Sequence, residues 1–257
     1  MRKTLIALVL VFLTSLTSAY ALDIRVGIYQ NHPLIFKNDK GKIEGFCYDI
    51  LTEIAKKEGW NLKYDFDTWA NVYDKLKKGE VDMVVPVGFN LDRTEHILFN
   101  NESLTSNWGQ ISARKGVKLE SILDLEGKTI AVLKDDIYFT SENGIKQLAK
   151  KFGIDIEYLM FYDYEDAMQA VKDGKADGCL SNRFYTMANG EKYNLQRTPI
   201  LVNPIEVRFG ISKFTPMRAQ IISALDRNLF DMKHSEGSVY QESYEKWLAF
   251  ATRSGFM

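Results

Sequence analysis

The chain has 257 residues, of which 46% are hydrophobic and 12% aromatic, and its formal net charge is −1 at pH 7. This composition is ample for the packed core of one large or two small domains. A nearly balanced charge without a basic stripe argues against nucleic acid as a partner.

The start of the chain indicates export. An apolar run, Leu5–Leu13, follows the basic start MRK, and residues 19–21 (AYA) have the small-x-small form of a signal-peptidase site. The alternative, a membrane anchor, needs about 20 apolar residues, and the stretch at 14–18 (TSLTS) interrupts the run well before that length. We therefore expect a signal peptide over residues 1–21 that is cleaved after Ala21.

The first elements after this leader carry strand and helix signals in turn. Leu22–Tyr29 (LDIRVGIY) alternates in hydropathy and predicts a strand. Gly41 and Gly45 bracket a hairpin-like connection, and Phe46–Lys57 predicts a helix because its apolar residues recur at helical spacing. A strand followed by a helix is typical of the start of an α/β unit.

A duplication occupies the middle of the chain. IAKKEGWNLKY (54–64) is similar to LAKKFGIDIEY (148–158), and WANVYDKLKKGEVDMVV (69–85) is similar to YEDAMQAVKDGKADGCL (164–180). Each copy predicts a helix end with a glycine stop, a strand, an amphipathic helix, a second glycine stop and an apolar strand. This order is the parallel βαβ unit, so the duplication predicts two α/β lobes.

The remaining elements complete the two lobes and connect them. Thr129–Leu133 predicts the first strand of the second lobe, followed by a helix that ends near Lys151. Two further runs with strand character, Asn107–Ala113 and Pro204–Ile211, join only the two lobes, and Met217–Phe250 predicts a helical tail. A chain that enters the second lobe once and returns once has two crossing strands, which form a hinge beside a cleft.

These elements predict three parts of the exported chain. Residues 22–107 form the first part of lobe one, residues 108–205 form lobe two, and residues 206–257 return to lobe one with the C-terminal helices. Lobe pairs of this kind enclose a cleft where the carboxyl ends of their parallel strands face each other.

One arginine follows a predicted strand end directly. The apolar run that ends near Val87 is followed by Gly88, Asn90 and Arg93. A guanidinium is a planar fork for carboxylate or phosphate, and ligands bind at strand ends in open α/β sheets. Arg93 is therefore either a ligand clamp at a helix start or an ordinary surface cation.

At this point the residues resemble a known family, the periplasmic solute-binding proteins of the amino-acid-binding type (family 3), together with the related sensor modules of histidine kinases. The segments that carry the resemblance are HPLIF, GKIEGFCYDILTEIAKK, LKKGEVDMV, EGKTIAVLK, DGKADGCLSN and SVYQESYEKWL. SNWGQISARKG (106–116) resembles the sensor branch more than transport receptors. The resemblance implies a type II periplasmic-binding-protein fold, in which each lobe is a mostly parallel sheet flanked by helices and two strands form the hinge.

The resemblance implies ligand-binding roles for three residues of lobe one. The family's arginine that grips the ligand carboxylate corresponds to Arg93, and the hydroxyl residue that assists it corresponds to Gly88. An aromatic residue that packs on the ligand corresponds to Trp69.

In lobe two the chain departs from the family's pattern. The acidic residue for the ligand ammonium corresponds to Asn182, and the Gly-Thr pair that binds the carboxylate corresponds to Asp135 and Asp136. An amide lacks the charge that stabilises a desolvated ammonium, and two aspartates repel a carboxylate.

Three interpretations remain open at this stage. The ligand has a carboxylate for Arg93 and an uncharged or differently placed polar group, or it is a cationic amino acid or amine whose charge is met by Asp135 and Asp136. In the third, Arg93 pairs with one of these aspartates on closing, and the cleft signals or binds a partner.

No motif in the sequence predicts catalysis, a metal or a cofactor. The sequence has no G-x-S-x-G, H-E-x-x-H or Walker motif, and its three histidines show no metal-ligand spacing. Cys47 and Cys179 fall in different lobes, which favours two buried free thiols over a disulfide.

The resemblance implies a periplasmic monomer that captures a small polar solute, an amino acid or related carboxylate, by hinge closure and delivers it to an ABC permease. The alternative is a sensing module for a membrane kinase or cyclase. The lack of an apolar segment after Trp247 favours the free receptor if the chain is complete, whereas SNWGQ favours the sensor. A minor alternative is an enzyme, because cyclohexadienyl dehydratase-like proteins use this fold.

Overall fold

The computed structural model describes residues 21–249. The predicted signal peptide, except Ala21, and the end of the predicted tail from residue 250 lie outside the described residues. The strands are β1 (Leu22–Ile28), β2 (Phe36–Lys37), β3 (Ile43–Glu44), β4 (Trp60–Phe66), β5 (Met83–Gly88), β6 (Ile97–Phe99), β7 (Thr105–Arg114), β8 (Thr129–Leu133), β9 (Glu157–Phe161), β10 (Gly178–Asn182) and β11 (Leu195–Ser212).

The helices follow these strands in the order that the duplication predicts. They are α1 (Phe46–Glu58), α2 (Trp69–Lys78), α3 (Leu91–Thr94), α4 (Ile137–Thr140), α5 (Ile145–Phe152), α6 (Tyr164–Lys172), α7 (Arg183–Asn189), α8 (Arg218–His234) and α9 (Val239–Tyr244). Short 3-10 turns lie at Ile122–Leu125 and Gly190–Tyr193, and a π-helical turn lies at Glu245–Ala249.

Within residues 21–249, nine strands form one sheet in the order β4-β1-β5-β11-β7-β10-β8-β9, with β6 paired to β11. β1 is parallel to β4 and β5, and β8 is parallel to β9 and β10. β7 and β11 are antiparallel to each other and connect the two parallel sets. We call the set β4-β1-β5 with its helices the first lobe and the set β9-β8-β10 with its helices the second lobe.

The two crossing strands are longer than the sequence predicts. β11 begins at Leu195 rather than Pro204, and its register with β7 shifts between Arg197 and Leu201 and again between Val202 and Ile205. Both predicted lobe boundaries, 107/108 and 205/206, fall inside these strands, so the division of the chain into lobes at those residues stays a prediction.

The repeated glycines end their helices as the duplication predicts. Gly59 after α1 and Gly153 after α5 have φ values of 67° and 66°, and each is a left-handed C-cap. A residue with a side chain is rarely stable in this conformation, so the glycines terminate the helices and turn the chain into the next strand. Cys47 and Cys179 are both buried and free, as predicted.

Apolar side chains pack across the boundary between the lobes. Trp69 and Tyr29 of the first lobe share one hydrophobic cluster with Leu133 and Tyr164 of the second. Phe184 on α7 of the second lobe is fully buried in a cluster formed mainly by first-lobe residues. The lobes are therefore in direct contact along the cleft.

The duplication also repeats one polar anchor, which differs in strength between the lobes. In the first lobe, the Asp82 carboxylate accepts hydrogen bonds from the Arg25 main chain and guanidinium and from Thr215. In the second, the Asp177 carboxylate accepts one from the main-chain N–H of Thr129 at 2.9 Å. Burial raises the pKa of Asp82, but these hydrogen bonds outweigh it and hold the pKa below its ordinary value.

We predict that Asp82→Ala lowers the free energy of unfolding by roughly 2–3 kcal/mol, because several donors lose a charged acceptor, and that Asp177→Ala lowers it by about 1 kcal/mol. Urea unfolding of both variants and the wild type measures the difference. An equal or larger loss for Asp177→Ala would contradict the assignment of the stronger anchor to the first lobe.

Candidate functional site

The carboxyl ends of both sets of parallel strands border one cavity between the lobes, which we call the central cavity. Gly88 ends β5, Leu133 ends β8 and Asn182 ends β10, and all three line it together with Tyr29, which follows β1. Ligands bind at this edge of open α/β sheets. Its volume is about 40 Å³.

Arg93 is a buried cation at the wall of this cavity. It lies on the short helix α3, whose N-terminus is capped by the side chain of Asn90, and only 7% of its surface is exposed. Its guanidinium donates to the carbonyl of Gly88 at 2.9 Å and to the carbonyl of Asp135 at 3.4 Å. A guanidinium group has five N–H donors, so three have no hydrogen-bond partner in the part of the chain that the structure describes.

Two aromatic rings stack beside this guanidinium. Its Cζ lies 4.9 Å from the ring centre of Trp69 and 5.1 Å from that of Tyr73. The rings hold the cation in place by cation–π attraction and exclude water from one side of it. Burial lowers the pKa of Arg93 from its ordinary value, yet the group stays charged because a guanidinium is not deprotonated in proteins.

Trp69 is positioned by the turn that starts α2. The side chain of Thr68 caps the helix by accepting from the N–H of Asn71, and Trp69 itself is 5% exposed. Its indole Nε1 donates to the carbonyl of Asp135 at 3.0 Å, across the boundary between the lobes. The orientation of the Trp69 ring is thus fixed by a hydrogen bond to the other lobe.

Asp135 contributes its main chain rather than its carboxylate to this contact. Its φ is 59°, a left-handed conformation that side chains rarely adopt, and this turn directs its carbonyl toward Trp69 and Arg93. The carboxylate is exposed and lines a second cavity, of about 520 Å³, on the outer side of Arg93. We call this second cavity the outer cavity.

Asp136 is buried in the wall of the central cavity. It is 6% exposed, caps α4 by accepting from the N–H of Tyr138 at 3.3 Å, and accepts from the hydroxyl of Tyr164 at 2.6 Å. Burial raises the pKa of Asp136 above its ordinary value, although Tyr164 and Arg93 partly oppose this rise. A carboxyl group in this position attracts a cation strongly once it is ionised.

Arg93 forms no ion pair with either aspartate. Among residues 21–249, the ion pairs within 4.0 Å all join other residues. It reaches Asp135 only through the carbonyl. The third interpretation from the sequence, in which Arg93 pairs with one of these aspartates on closing, stays a prediction, because the observed contact is to a main-chain carbonyl.

Asn182 has a structural role at the start of α7. Its side-chain oxygen Oδ1 accepts from the main-chain N–H of Tyr185 at 3.0 Å and so caps the helix. The side-chain Nδ2 of Asn182 donates to Oδ1 of Asn31 in the first lobe at 2.9 Å. Nδ2 of Asn31 in turn donates to the hydroxyl of Tyr29 at 3.1 Å. Asn182 therefore connects the lobes, and its oxygen is engaged by its own helix.

Gly88 supplies a carbonyl and leaves space for apolar groups. A Cβ at this position would lie 2.4 Å from Cδ1 of Ile205 and 3.2 Å from Cγ2 of Ile137. The absent side chain thus permits close approach of these two residues, while the main-chain oxygen anchors Arg93.

The structure therefore places five of the six predicted ligand-binding residues, all except Asp135, around the central cavity. The prediction missed the polar and aromatic groups Tyr29, Asn31 and Tyr138, which line the same cavity. The signal for Tyr29 and Asn31 was available, because they directly follow β1, and the rule that ligands bind at strand ends applies to every parallel strand.

The described residues include no group of three or more His, Cys, Asp or Glu side chains that could hold a metal ion. Across residues 21–249, no helix combines the length and hydropathy needed to span a membrane.

The fold is the two-lobed fold of the type II periplasmic binding proteins. The structure matches an ancestral arginine-binding protein bound to arginine with a TM-score of 0.77 and 23% identity, over 88% of this chain and 98% of that one. It matches a histidine kinase sensor domain with similarity to periplasmic binding proteins with a TM-score of 0.76 and 19% identity, over 89% and 96% of the two chains. At these identities the likeness concerns the fold.

Sequence comparison finds similarity to the same family over part of the chain. Residues 24–136 match the model of the bacterial extracellular solute-binding proteins, family 3. A probable histidine-binding protein of Campylobacter jejuni is 26% identical over 164 residues, which are 63% of this chain and 60% of that protein. The arginine-binding periplasmic protein of Mannheimia haemolytica is 24% identical over 260 residues, 96% of this chain and 99% of that protein. The chain is thus similar to the family 3 solute-binding proteins, and the resemblance found in its sequence is confirmed.

The buried Asp136 leads to a prediction about pH. Its pKa is higher in the folded than in the unfolded chain, so the folded state holds more protons between the ordinary value near 3.8 and the raised value. Stability contributed by this group therefore falls as pH rises through that interval.

We expect Asp136→Asn, which keeps the size and an acceptor oxygen, to melt at a higher temperature than the wild type at pH 7. The difference should shrink as pH falls toward 4. Thermal melts from pH 4 to 8 measure it. A constant difference at every pH would contradict a raised pKa for Asp136.

Proposed function

We propose that this protein is an exported solute-binding protein that captures a small polar solute, an amino acid or related carboxylate, between its two lobes for ABC-type amino acid transport. The family match and the amino-acid-binding relatives support the general class. The choice of solute and of a transport partner is our inference.

The observation that carries the proposal is the state of Arg93. A planar cation that is 93% buried, flanked by two aromatic rings and left with unused N–H donors, is costly unless it has a partner. A carboxylate that accepts two parallel N–H bonds matches this fork in charge and geometry. Because the site is screened from water, these bonds are stronger than on an open surface.

The second lobe offers the complementary charge. Asn182, which stands where the resemblance implies an acidic residue, is occupied by its helix and by Asn31. Asp135 and Asp136 are the carboxyl groups beside Arg93, and we assign the ligand's cationic group to this pair. An amino acid would then connect a first-lobe cation to a second-lobe anion, which favours closure about the hinge formed by β7 and β11.

The remaining parts of the proposal follow the family. We propose a periplasmic location after cleavage at Ala21, a monomeric protein, and a membrane permease that recognises the closed pair of lobes. We assign no catalytic step, a choice supported by relatives that are named as binding proteins. An enzyme of the same fold stays a minor alternative, since one similar structure is an ancestral amino-acid-binding precursor of cyclohexadienyl dehydratase.

One observation favours a second function, that of a sensing module. The histidine kinase sensor domain matches this fold about as well as the arginine-binding protein does, with TM-scores of 0.76 and 0.77. In a sensor the closed lobes would transmit a signal to a membrane kinase. Uptake of radiolabelled amino acids by cells with and without the protein separates the two functions, since only a transport receptor lowers uptake when it is removed.

We predict that at least one amino acid raises the melting temperature of the wild type. A solute at a hundred times its Kd adds about 2.7 kcal/mol to the free energy of unfolding, which is worth roughly 5–10 °C for a chain of this size. Arg93→Ala should abolish the shift because the carboxylate loses the buried cation that lines the cleft. A thermal-shift screen against amino acids, polyamines, dicarboxylates and small aromatic acids measures this.

Arg197→Ala is the matched control, because Arg197 is an exposed arginine on β11 that does not line either cavity. It should keep the full shift. If Arg93→Ala responds to every carboxylate as the wild type does, the clamp assignment is wrong.

A further inference from the structure

A third cavity, of about 340 Å³, opens between the lobes, and we call it the lip groove. It lies at the carboxyl ends of the two edge strands of the sheet, β4 in the first lobe and β9 in the second. Its walls are residues 29–30 and 66–69 of the first lobe and residues 133 and 162–163 of the second, so Arg93 does not line it. Because both lobes supply these walls, the lip groove exists only while the lobes are in contact.

The polar side chains of the lip groove are engaged in the protein's own hydrogen bonds. The Gln30 amide exchanges two hydrogen bonds with the main chain of Lys37, at 3.1 and 3.3 Å. The Thr68 hydroxyl accepts from the N–H of Asn71 at 3.3 Å, and the Tyr29 hydroxyl donates to a main-chain carbonyl of β5 at 2.9 Å. A site for a small polar solute needs polar groups that are free to orient it. This arrangement therefore favours an apolar occupant over a small polar solute.

Large side chains with apolar faces are exposed at the rim of the lip groove, one from each lobe. Phe66 is 38% exposed and Tyr162 is 56% exposed, whereas Trp69 and Leu133 are 5% and 4% exposed and form an apolar floor. Met160, two residues before Tyr162 on β9, is 62% exposed. An exposed apolar patch that polar groups surround is typical of a protein interaction site.

Two lysines flank the rim, again one from each lobe. The ammonium of Lys37 lies 4.4 Å from the ring centre of Phe66, and that of Lys134 lies 5.3 Å from the ring centre of Tyr162. Neither lysine has an ion-pair partner within residues 21–249.

The carboxylates of the lip groove are already engaged. Asp67 lies 3.1 Å from the ammonium of Lys75, and Asp163 caps α6 by accepting from the N–H of Asp166 at 2.8 Å. The unpaired charges at the rim are therefore positive. A partner that carries carboxylates beside an apolar side chain complements this rim in both charge and hydropathy.

We propose that the lip groove is the docking site for the membrane permease, and that it receives an apolar or aromatic side chain flanked by carboxylates on an extracytoplasmic segment of that permease. Aromatic side chains that fill such pockets often carry most of the binding energy of an interface. Because both lobes form the groove, only the closed pair holds this side chain. The inference rests on the proposed function and adds which surface the permease recognises.

Removing the two exposed rings tests this placement. Phe66→Ser and Tyr162→Ser, alone and combined, change the rim and leave the lining of the central cavity intact. Phe230→Ser on α8 and Phe152→Ser on α5 are the matched controls, because these rings are 50% and 54% exposed and lie outside the lip groove. The single variants serve if the combined variant does not accumulate.

Two readouts separate docking from solute capture. Isothermal titration with L-arginine, L-glutamine and L-histidine measures solute affinity, and uptake of the same radiolabelled amino acids by cells that carry each variant measures delivery. We expect the combined variant to keep its solute affinity within about twofold and to lower uptake about tenfold or more, while both controls stay within about twofold of the wild type in each readout. Immunoblots and thermal melts verify equal amounts of folded protein.

Reversing one charge of the rim provides a second arm. Lys37→Glu should lower uptake several-fold without a change in solute affinity, because it repels the carboxylates of the permease segment. Lys40→Glu, at an exposed position between β2 and β3, is its matched control and should leave uptake unchanged.

The outcomes separate this inference from the proposed function. Wild-type uptake by the combined variant, or an equal loss in the controls, overturns only the inference. So does a loss of solute affinity in the combined variant, which would assign the groove to the solute site, or sedimentation of wild-type dimers that this variant does not form, which would assign it to a second copy of the chain. If no amino acid binds the wild type, or if its removal leaves uptake unchanged, the proposed function is overturned and the inference with it.

Discussion

The main-chain carbonyl of Asp135 is the acceptor on which the arrangement of the cleft depends. It receives the indole N–H of Trp69 and one guanidinium N–H of Arg93, both from the other lobe. A left-handed turn directs this oxygen across the cleft, and the same turn places the next residue, Asp136, as the cap of α4. One strained residue thus fixes the aromatic wall, the buried cation and the buried carboxyl relative to each other.

The general fold could be predicted from the sequence because the duplication repeats local signals that do not depend on distant contacts. Gly59 and Gly153 stop helices by their own conformational freedom, and the apolar strands between them leave few alternatives to a parallel sheet. The length of β11 was not predictable in this way. Its pairing with β7 is interrupted by two register shifts, and no periodic pattern marks a strand whose environment changes from one lobe to the other.

The candidate site was predictable as a set of positions but not as a set of contacts. Strand-end position and resemblance predicted where Arg93, Trp69 and Gly88 lie. Both arguments locate the main chain and do not predict side-chain contacts. Arg93 is held by two carbonyl groups, those of Gly88 and Asp135, and carbonyls are common to all residues, so a sequence carries no side-chain signal for them. The hydrogen bond between the side chains of Asn182 and Asn31 was not predictable for a different reason, since it depends on how two residues far apart in the sequence are brought together.

The position of Phe184 has a consequence for the balance between conformations. This second-lobe side chain is fully buried in a cluster made mainly by the first lobe. Separation of the lobes would return it to water, at a cost of roughly 1.5–3 kcal/mol. If the lobes separate as the proposed function requires, this cost favours the closed form of the unliganded protein, and a solute with equal affinity for both forms would leave their populations unchanged. A partner protein that recognises one form would therefore detect only a solute that binds the closed form more tightly than the open form.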